Sequence, residues 1–396
     1  MKIYKVGGAV RDSLLKKSPE DTDWVVVGAN ENHLLKMGFN RVGKDFPVFL
    51  HPETKEEYAL ARLERKTGEG YLGFETIAHE SVTLEEDLSR RDFTVNAMAS
   101  DESGNIIDPY GGLNDLRKCI LRHVTEAFLE DPLRILRGAR FAAKLNFSIA
   151  DETITIMMEM VAKDQLAELK AERVWSEFQR AMVTDRPLAF FKVLAQCRAL
   201  PNLFPEFNPL FGEYFNGESH SQGTSILSLL DRRDRLERDS ELIFAVISRA
   251  LFLHNRQNRT LTSSQMSSFC DRLKVPKKFK TIAKRASAFK LVKKEFKTEL
   301  GSGVIHLLDA VGGFKNDHLF PKLLLLYELE RETKRNTHSY VSANEILAVK
   351  NAVKKMNNDD LIQQNLSGES FAEQLKIRKI ALANDTLTLA AKPHEV

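Results

Sequence analysis

The sequence predicts an α+β protein: a mixed α/β head followed by an all-helical remainder. Up to about residue 110 the chain runs in short apolar stretches broken by Gly, Pro and Asp, the punctuation of strands and tight turns. After Asp108-Pro109-Tyr110-Gly111-Gly112 the character changes. Apolar residues then recur at helical spacing with few prolines between them, as in Ile135, Leu136, Ala139, Ala142 and Ala143. With 396 residues, 43% of them hydrophobic and 29% charged, the chain is long enough to bury two or three cores.

Taken in chain order, Ile3-Tyr4-Lys5-Val6 reads as a short strand that feeds the pair Gly7-Gly8. Further strands are expected over 24–27, 48–50, 58–62 and 106–107. The segment 63–74, LERKTGEGYLGF, contains Gly68, Gly70 and Gly73. Helices fill the rest, except over 201–223, where Pro, Asn, Gly and Ser are dense and no helical period shows; this is the expected internal boundary. From 274 to 297, lysines interleave with Phe279, Phe289 and Phe296. That stretch reads equally as a solvated helix face over a core or as a contact for RNA backbone.

Composition excludes several classes. The longest aliphatic runs, such as 25–27 and 323–326, fall far short of the roughly 20 apolar residues of a membrane span. A Gly pair stands where an export signal needs its apolar core, so secretion is not expected. Cys119, Cys197 and Cys270 are far apart and lack zinc-ligand spacing, which points to a reduced, cytoplasmic protein without structural zinc. A net charge of only +3 means that any nucleic-acid site must come from local patches.

Three segments carry chemistry. In the first, Gly7-Gly8-Ala9-Val10-Arg11-Asp12 precedes Asp21-Thr22-Asp23 and an apolar strand. A Gly pair lets backbone approach a ligand, Arg11 suits phosphate, and two carboxylates two apart on a strand share a face and can hold hard divalent cations. Such a pair implies in-line phosphoryl transfer assisted by two metal ions. In the second, Arg90-Arg91-Asp92-Phe93-Thr94-Val95-Asn96 offers donors and acceptors for a ribose or a phosphate, or simply a helix start with Asp92 in its first turn. In the third, Glu130-Asp131-Pro132 opens a helix on which Arg134, Arg137 and Arg140 recur every three residues opposite an apolar face.

These segments, together with DPYGG (108–112) and AERVWSE (171–177), resemble in order and spacing the motifs of the bacterial class II tRNA nucleotidyltransferases, the CCA-adding enzymes of the DNA polymerase beta superfamily. The resemblance covers roughly residues 1–210. It implies a polymerase-beta-like catalytic head over 1–114, a helical neck with the nucleotide-reading helix over 115–210, and a helical body and tail over 211–396. The implied reaction is addition of CMP, CMP and AMP from CTP and ATP to the tRNA 3′ end with release of pyrophosphate. Asp21 and Asp23 would hold magnesium, and Gly8 with Arg11 the nucleotide phosphates. Arg91, with Asp92 nearby, would contact the sugar. Asp131 and Arg134 would read the Watson–Crick edges of the incoming base, and Arg137 and Arg140 would steady the nucleotide. No obligate protein partner is implied.

Related enzymes often carry a C-terminal HD phosphohydrolase domain, which needs an adjacent His-Asp pair, and no such dipeptide occurs in this chain. Ser248-Arg249 stands on the segment that resembles the helix of that pair, and His220 and His254 are left isolated. Three alternatives stay open: a CC-adding relative, a poly(A) polymerase relative, and a catalytically dead tRNA-binding protein. The resemblance implies a mobile segment that re-forms the pocket between C and A addition, for which 63–74 is the candidate; its presence favours full CCA addition, and the intact Asp21 and Asp23 speak against a dead head.

Overall fold

A computed structural model describes the chain except residues 20, 44–47, 67–73, 218–220, 232–235, 237, 259–262, 297–298, 316, 360, 362–367 and 391–396. The chain divides into two compact units, Met1–Asn208 and Pro209–Val396.

Unit 1 opens with β1 (Lys2–Val6), α1 (Gly8–Leu14), β2 (Asp23–Val27), α2 (Glu31–Lys36), β3 (Asn40–Val42), β4 (Val48–Leu50) and β5 (Glu57–Leu60). A hairpin of β6 (Arg62–Lys66) and β7 (Phe74–Ala78) follows, then α3 (Leu84–Ser89), β8 (Ala99–Ser100) and β9 (Ile106–Ile107). Seven of these strands form one sheet in the order β3-β4-β5-β2-β1-β8-β9, in which only β2 and β5 run parallel. The alternation along β2 explains the sheet's two cores. Val25 packs with Val6, Leu88, Ala97 and Ala99 on one face, while Val26 packs with Leu34, Phe39, Phe49 and Leu60 on the other.

Two expectations change in the head, and one strand was not expected. The DTD triplet does not lie wholly on a strand: β2 begins at Asp23, and Asp21 sits in the bend before it. The strand expected over 58–62 stops at Leu60, because the Arg62 N–H donates to the Asp87 carboxylate at 3.3 Å and draws the backbone into β6. Strand β3 is exposed at all three residues, so it lacks the apolar alternation that marks a strand in sequence. The candidate mobile segment lies largely outside the described residues, at 67–73.

The sequence DPYGG proves to be a joint. Both Asp108 carboxylate oxygens accept backbone N–H groups, from Gly112 at 2.7 Å and Leu113 at 2.8 Å, and so start α4 (Gly112–Lys118). A Cβ on Gly112 would lie 2.3 Å from the Thr94 carbonyl oxygen, so only glycine lets α4 approach the Arg91–Met98 segment. Beyond it come β10 (Ile120–Leu121), α5 (Leu133–Leu145), β11 (Ser148–Ile149), α6 (Asp151–Ala162), α7 (Ala171–Met182) and α8 (Pro187–Gln196). Their core is aromatic: Phe178, Phe190, Phe191, Phe204 and Phe207 are at most 1% exposed and meet edge-on or stacked at 5.3–6.4 Å.

The segment 201–223 is not irregular as expected. Helices Leu200–Leu203, Asn208–Asn216 and Gln222–Leu227 occupy much of it. Pro201 and Pro209 fall in the first turns of the first two, where a missing N–H costs nothing. Buried Phe204, Phe207 and Phe211 supply the apolar contacts that the polar composition conceals.

The named elements of unit 2 are all helices, joined by turns and by one isolated bridge between Lys293 and Tyr340. Its central helix, Ser240–Asn258, buries every residue from Leu242 to Leu251. Arg249 lies among them, with its Nε 2.7 Å and Nη2 3.1 Å from the Glu330 carboxylate. The Ser248 hydroxyl donates to the Phe244 carbonyl at 2.7 Å. His254 is 1% exposed, with Nδ1 3.4 Å from the Glu213 carboxylate, and His220 lies outside the described residues. Among the described residues no group of three or more His, Cys, Asp or Glu could hold a metal ion. No described helix is long and apolar enough to cross a membrane.

Candidate active site

Sheet register assembles the site. Antiparallel pairing sets Val6 at the end of β1 opposite Asp23 at the start of β2, so the Gly7-Gly8 turn lies beside the two aspartates. Parallel pairing sets Glu57 of β5 against Asp23 on the other side. Gly7 adopts φ +69°, and a Cβ there would come 2.8 Å from Arg91 Nη1. Gly8 is different: its Cβ would meet only Arg11 Nη2, at an ordinary 3.5 Å. Gly7 therefore shapes the turn, whereas Gly8 has open space beside it.

A cavity of about 660 Å³ follows from this arrangement. It is lined by all ten residues singled out in the sequence: Gly8, Arg11, Asp21, Asp23, Arg91, Asp92, Asp131, Arg134, Arg137 and Arg140. Eight arginines and five carboxylates face it in all, an excess of positive charge suited to a polyanion. Burial raises the Asp23 pKa, Arg91 opposes that, and the charge of Asp21 adds to it. Two carboxylates set close in a partly buried site are thus a poor arrangement without a cation. Two carboxylate donors also suit magnesium, which binds one or two carboxylates and takes its other oxygens from water and substrate phosphates.

The arginines are held in distinct ways. Arg11, only 2% exposed, donates through Nε to Asp12 at 2.8 Å and through Nη1 to Asn96 at 2.5 Å. Arg91 pairs with Asp87 at 3.2 Å. Arg137 reaches Asp92 at 2.6 Å and is the most open of the three arginines of α5, with a 35% exposed side chain. Burial works to raise the Asp92 pKa, but Arg137 and the Asn96 amide outweigh it and hold the group at about 2. Arg140 donates to the buried Glu177 at 2.5 Å and lies 4.2 Å from the Phe141 ring centroid.

The pair expected to read the base is fixed by backbone as much as by side chains. The Asp131 carboxylate accepts the Leu133 N–H at 3.0 Å, as the sequence predicts for a helix start, and also meets Arg173 of α7 at 3.4 Å. Arg134 donates Nη1 to the Ala127 carbonyl and Nη2 to the Arg90 carbonyl, both at 2.7 Å.

Four residues take roles that the sequence did not assign them. Arg173 and Glu177, four apart on one face of α7, hold Asp131 and Arg140. Asn96 and Asp12 anchor Arg11. The i, i+4 spacing of Arg173 and Glu177 is visible in the AERVWSE segment, but nothing in the sequence says which helix they meet. The second segment also differs from the simple alternative of a helix start: Thr94–Asn96 is a single 3₁₀ turn, with Asp92 accepting the Phe93 N–H before it.

Residues 3–122 match the family described as Poly A polymerase head domain, and residues 146–211 match the one described as probable RNA and SrmB-binding site of polymerase A. The Multifunctional CCA protein of Nitrosococcus oceani is 40% identical over 394 residues, covering 96% of this chain and 97% of its own. The chain belongs to the multifunctional CCA protein family. A second member, from Pseudoalteromonas atlantica, is also 40% identical and covers 96% of this chain and 98% of its own. A solved structure described as a CCA-adding enzyme complex with CTP superposes with a TM-score of 0.66 at 22% identity, over 97% of this chain and 87% of the other. Another, a tRNA nucleotidyltransferase with a primer tRNA and an ATP analogue, gives a TM-score of 0.55 at 25% identity, over 85% and 93%. The expected polymerase-beta-like head with a helical remainder is thus the fold of this family.

Proposed function

We propose that this cavity is the catalytic site of a CCA-adding tRNA nucleotidyltransferase, which adds CMP, CMP and AMP from CTP and ATP to the tRNA 3′ end. The observation that carries the reading is the meeting of Asp21, Asp23, the Gly7-Gly8 turn and the α5 arginines around one cavity. Magnesium held by Asp21 and Asp23 would neutralise phosphate charge and sharpen the attacking 3′ hydroxyl. Gly8 gives the triphosphate room beside the turn. Arg91 and Arg137 bring positive charge to it while their carboxylate partners keep them oriented. Arg11, buried between Asp12 and Asn96, braces the turn and adds its field from behind. We place the enzyme in the cytoplasm, in keeping with three free cysteines.

Nucleotide choice falls to Asp131 and Arg134, an acceptor and a donor at one end of α5. A closed site that leaves a wrong base edge unpaired discriminates strongly, so two side chains can take the place of a template. Changing either Asp131 or Arg134 to Ala is expected to relax selection and let UMP or GMP compete. Uniform loss of rate for all four nucleotides, without misincorporation, would rule the pair out as the reader. The whole assignment is tested by incorporation of each nucleotide onto tRNAs ending before, within and after CCA. Addition that halts after the second C would instead mark a CC-adding enzyme.

A second, metal-dependent phosphohydrolase activity is not expected. Ser248 bonds its own helix, and Arg249 is committed to Glu330, so neither has the neutral imidazole or carboxylate chemistry such a site requires. Purified protein should leave 2′,3′-cyclic AMP and p-nitrophenyl phosphate intact with added Ni²⁺, Co²⁺ or Mn²⁺. Chelator-sensitive turnover that survives loss of Asp21 and Asp23 would overturn this.

A further inference from the structure

The most one-sided chemistry outside the catalytic cavity lies in unit 2. From Lys274 to Lys294 the sequence holds eight lysines and one arginine and not one Asp or Glu. The helix Lys277–Ala288 turns Phe279, Ile282, Ala283 and Ala286 into the core, and Phe289 after it is buried as well. Lys277, Lys280 and Lys284, at i, i+3 and i+7, share the opposite face. The stretch is therefore both a core helix and a charged surface.

Its charge is only partly neutralised. Lys278 meets Glu241, Lys280 meets Asp271, and Arg285 meets Asp317. Lys293 pairs with Glu295 and Lys294 with Glu345. Lys277, Lys284 and Lys290 are exposed and pair with no carboxylate among the described residues. Seven helical residues separate Lys277 from Lys284, about 10 Å along the axis.

Where the strip ends, a cavity of about 400 Å³ opens, lined in part by Phe289, Lys290, Lys293, Phe296 and His306. Phe296 is 54% exposed, and Lys293 Nζ lies 5.9 Å from its ring centroid. A single exposed phenylalanine is unremarkable on its own. With Lys290 lining the same cavity, it becomes the pairing that single-stranded nucleic acid uses, a stacking face next to phosphate-binding charge.

We propose that this strip is a second RNA-contacting surface, on which Lys277, Lys284 and Lys290 meet phosphates and Phe296 stacks on an unpaired base of the tRNA. The proposal rests on tRNA being the substrate. Charge selects RNA over a protein occupant: from Lys274 to Lys294 the strip offers many donors and no carboxylate, and Glu295 just beyond it is already paired with Lys293.

Binding of tRNA lacking its 3′ terminus to the full-length protein, measured by filter retention over a series of salt concentrations, tests this directly. The triple variant Lys277→Ala, Lys284→Ala, Lys290→Ala is expected to show a log Kd against log salt slope shallower by about 2 to 3, the loss of three phosphate contacts. Phe296→Ala should weaken binding by about 5- to 150-fold, and Phe296→Trp should retain it. All four positions are exposed, so thermal melting verifies that the variants are folded. Wild-type affinity and slope in both alanine variants, with the wild type adding CCA, would overturn the surface alone and leave the strip to a protein partner or to no partner. Failure of the wild type to bind tRNA at all would sink both the surface and the activity beneath it.

Discussion

Replacing Asp21 or Asp23 with alanine is expected to lower incorporation of both CMP and AMP by about 10³-fold or more, while tRNA affinity changes little. The two effects separate because the carboxylates serve the reacting phosphate, whereas RNA is held by cationic groups spread over a larger surface. Asp23 lies at the start of β2, beside Val6, and Asp21 is in the bend outside the strand, so neither replacement removes a core contact. Folding should accordingly be kept. Single-turnover incorporation of labelled CTP and ATP, run beside filter binding of tRNA, checks both halves. Substantial turnover in either variant would remove the two aspartates from the chemistry, and a matching collapse of tRNA affinity would show that they act on binding instead.

Much of this site was legible because its parts are local. A Gly pair after an apolar strand, two carboxylates before another strand and arginines spaced by three on a helix each announce themselves within about ten residues. Packing of these parts into one cavity depends on register, which sequence states only indirectly. Val6 opposite Asp23 brings the turn to the aspartates, and no local pattern encodes that pairing. What sequence missed is the set of partners that come from far along the chain: Asn96 for Arg11, Arg173 for Asp131, Glu177 for Arg140. Each is a polar residue whose meaning lies in what it touches. The same limit hid the helices of 201–223, where prolines that begin helices look in sequence like prolines that prevent them.

The core of unit 2 offers the larger thermodynamic effect. Arg249 and Glu330 have side chains only 3% exposed, so replacing Glu330 with leucine would strand a guanidinium in the interior. Losing one partner of a buried pair costs about 3–5 kcal/mol, which for a unit of this size corresponds to a fall of about 6–20 °C in its melting temperature. Arg249→Met strands the Glu330 carboxylate in turn and should cost a comparable amount. It also leaves the Phe289 carbonyl, now 2.9 Å from Arg249 Nη1, without its donor. Combining both changes should then recover most of the loss, since two apolar side chains can fill the volume without a desolvated charge. Denaturant unfolding of the three variants gives the double-mutant cycle. A strongly positive coupling, in which the double variant is more stable than Glu330→Leu alone, is the expected result. If the double variant is instead no more stable than the sum of the single losses predicts, Arg249 is held mainly by its contacts to the Ala286 and Phe289 carbonyls and to the Phe289 ring 4.0 Å away, and Glu330 is a minor partner.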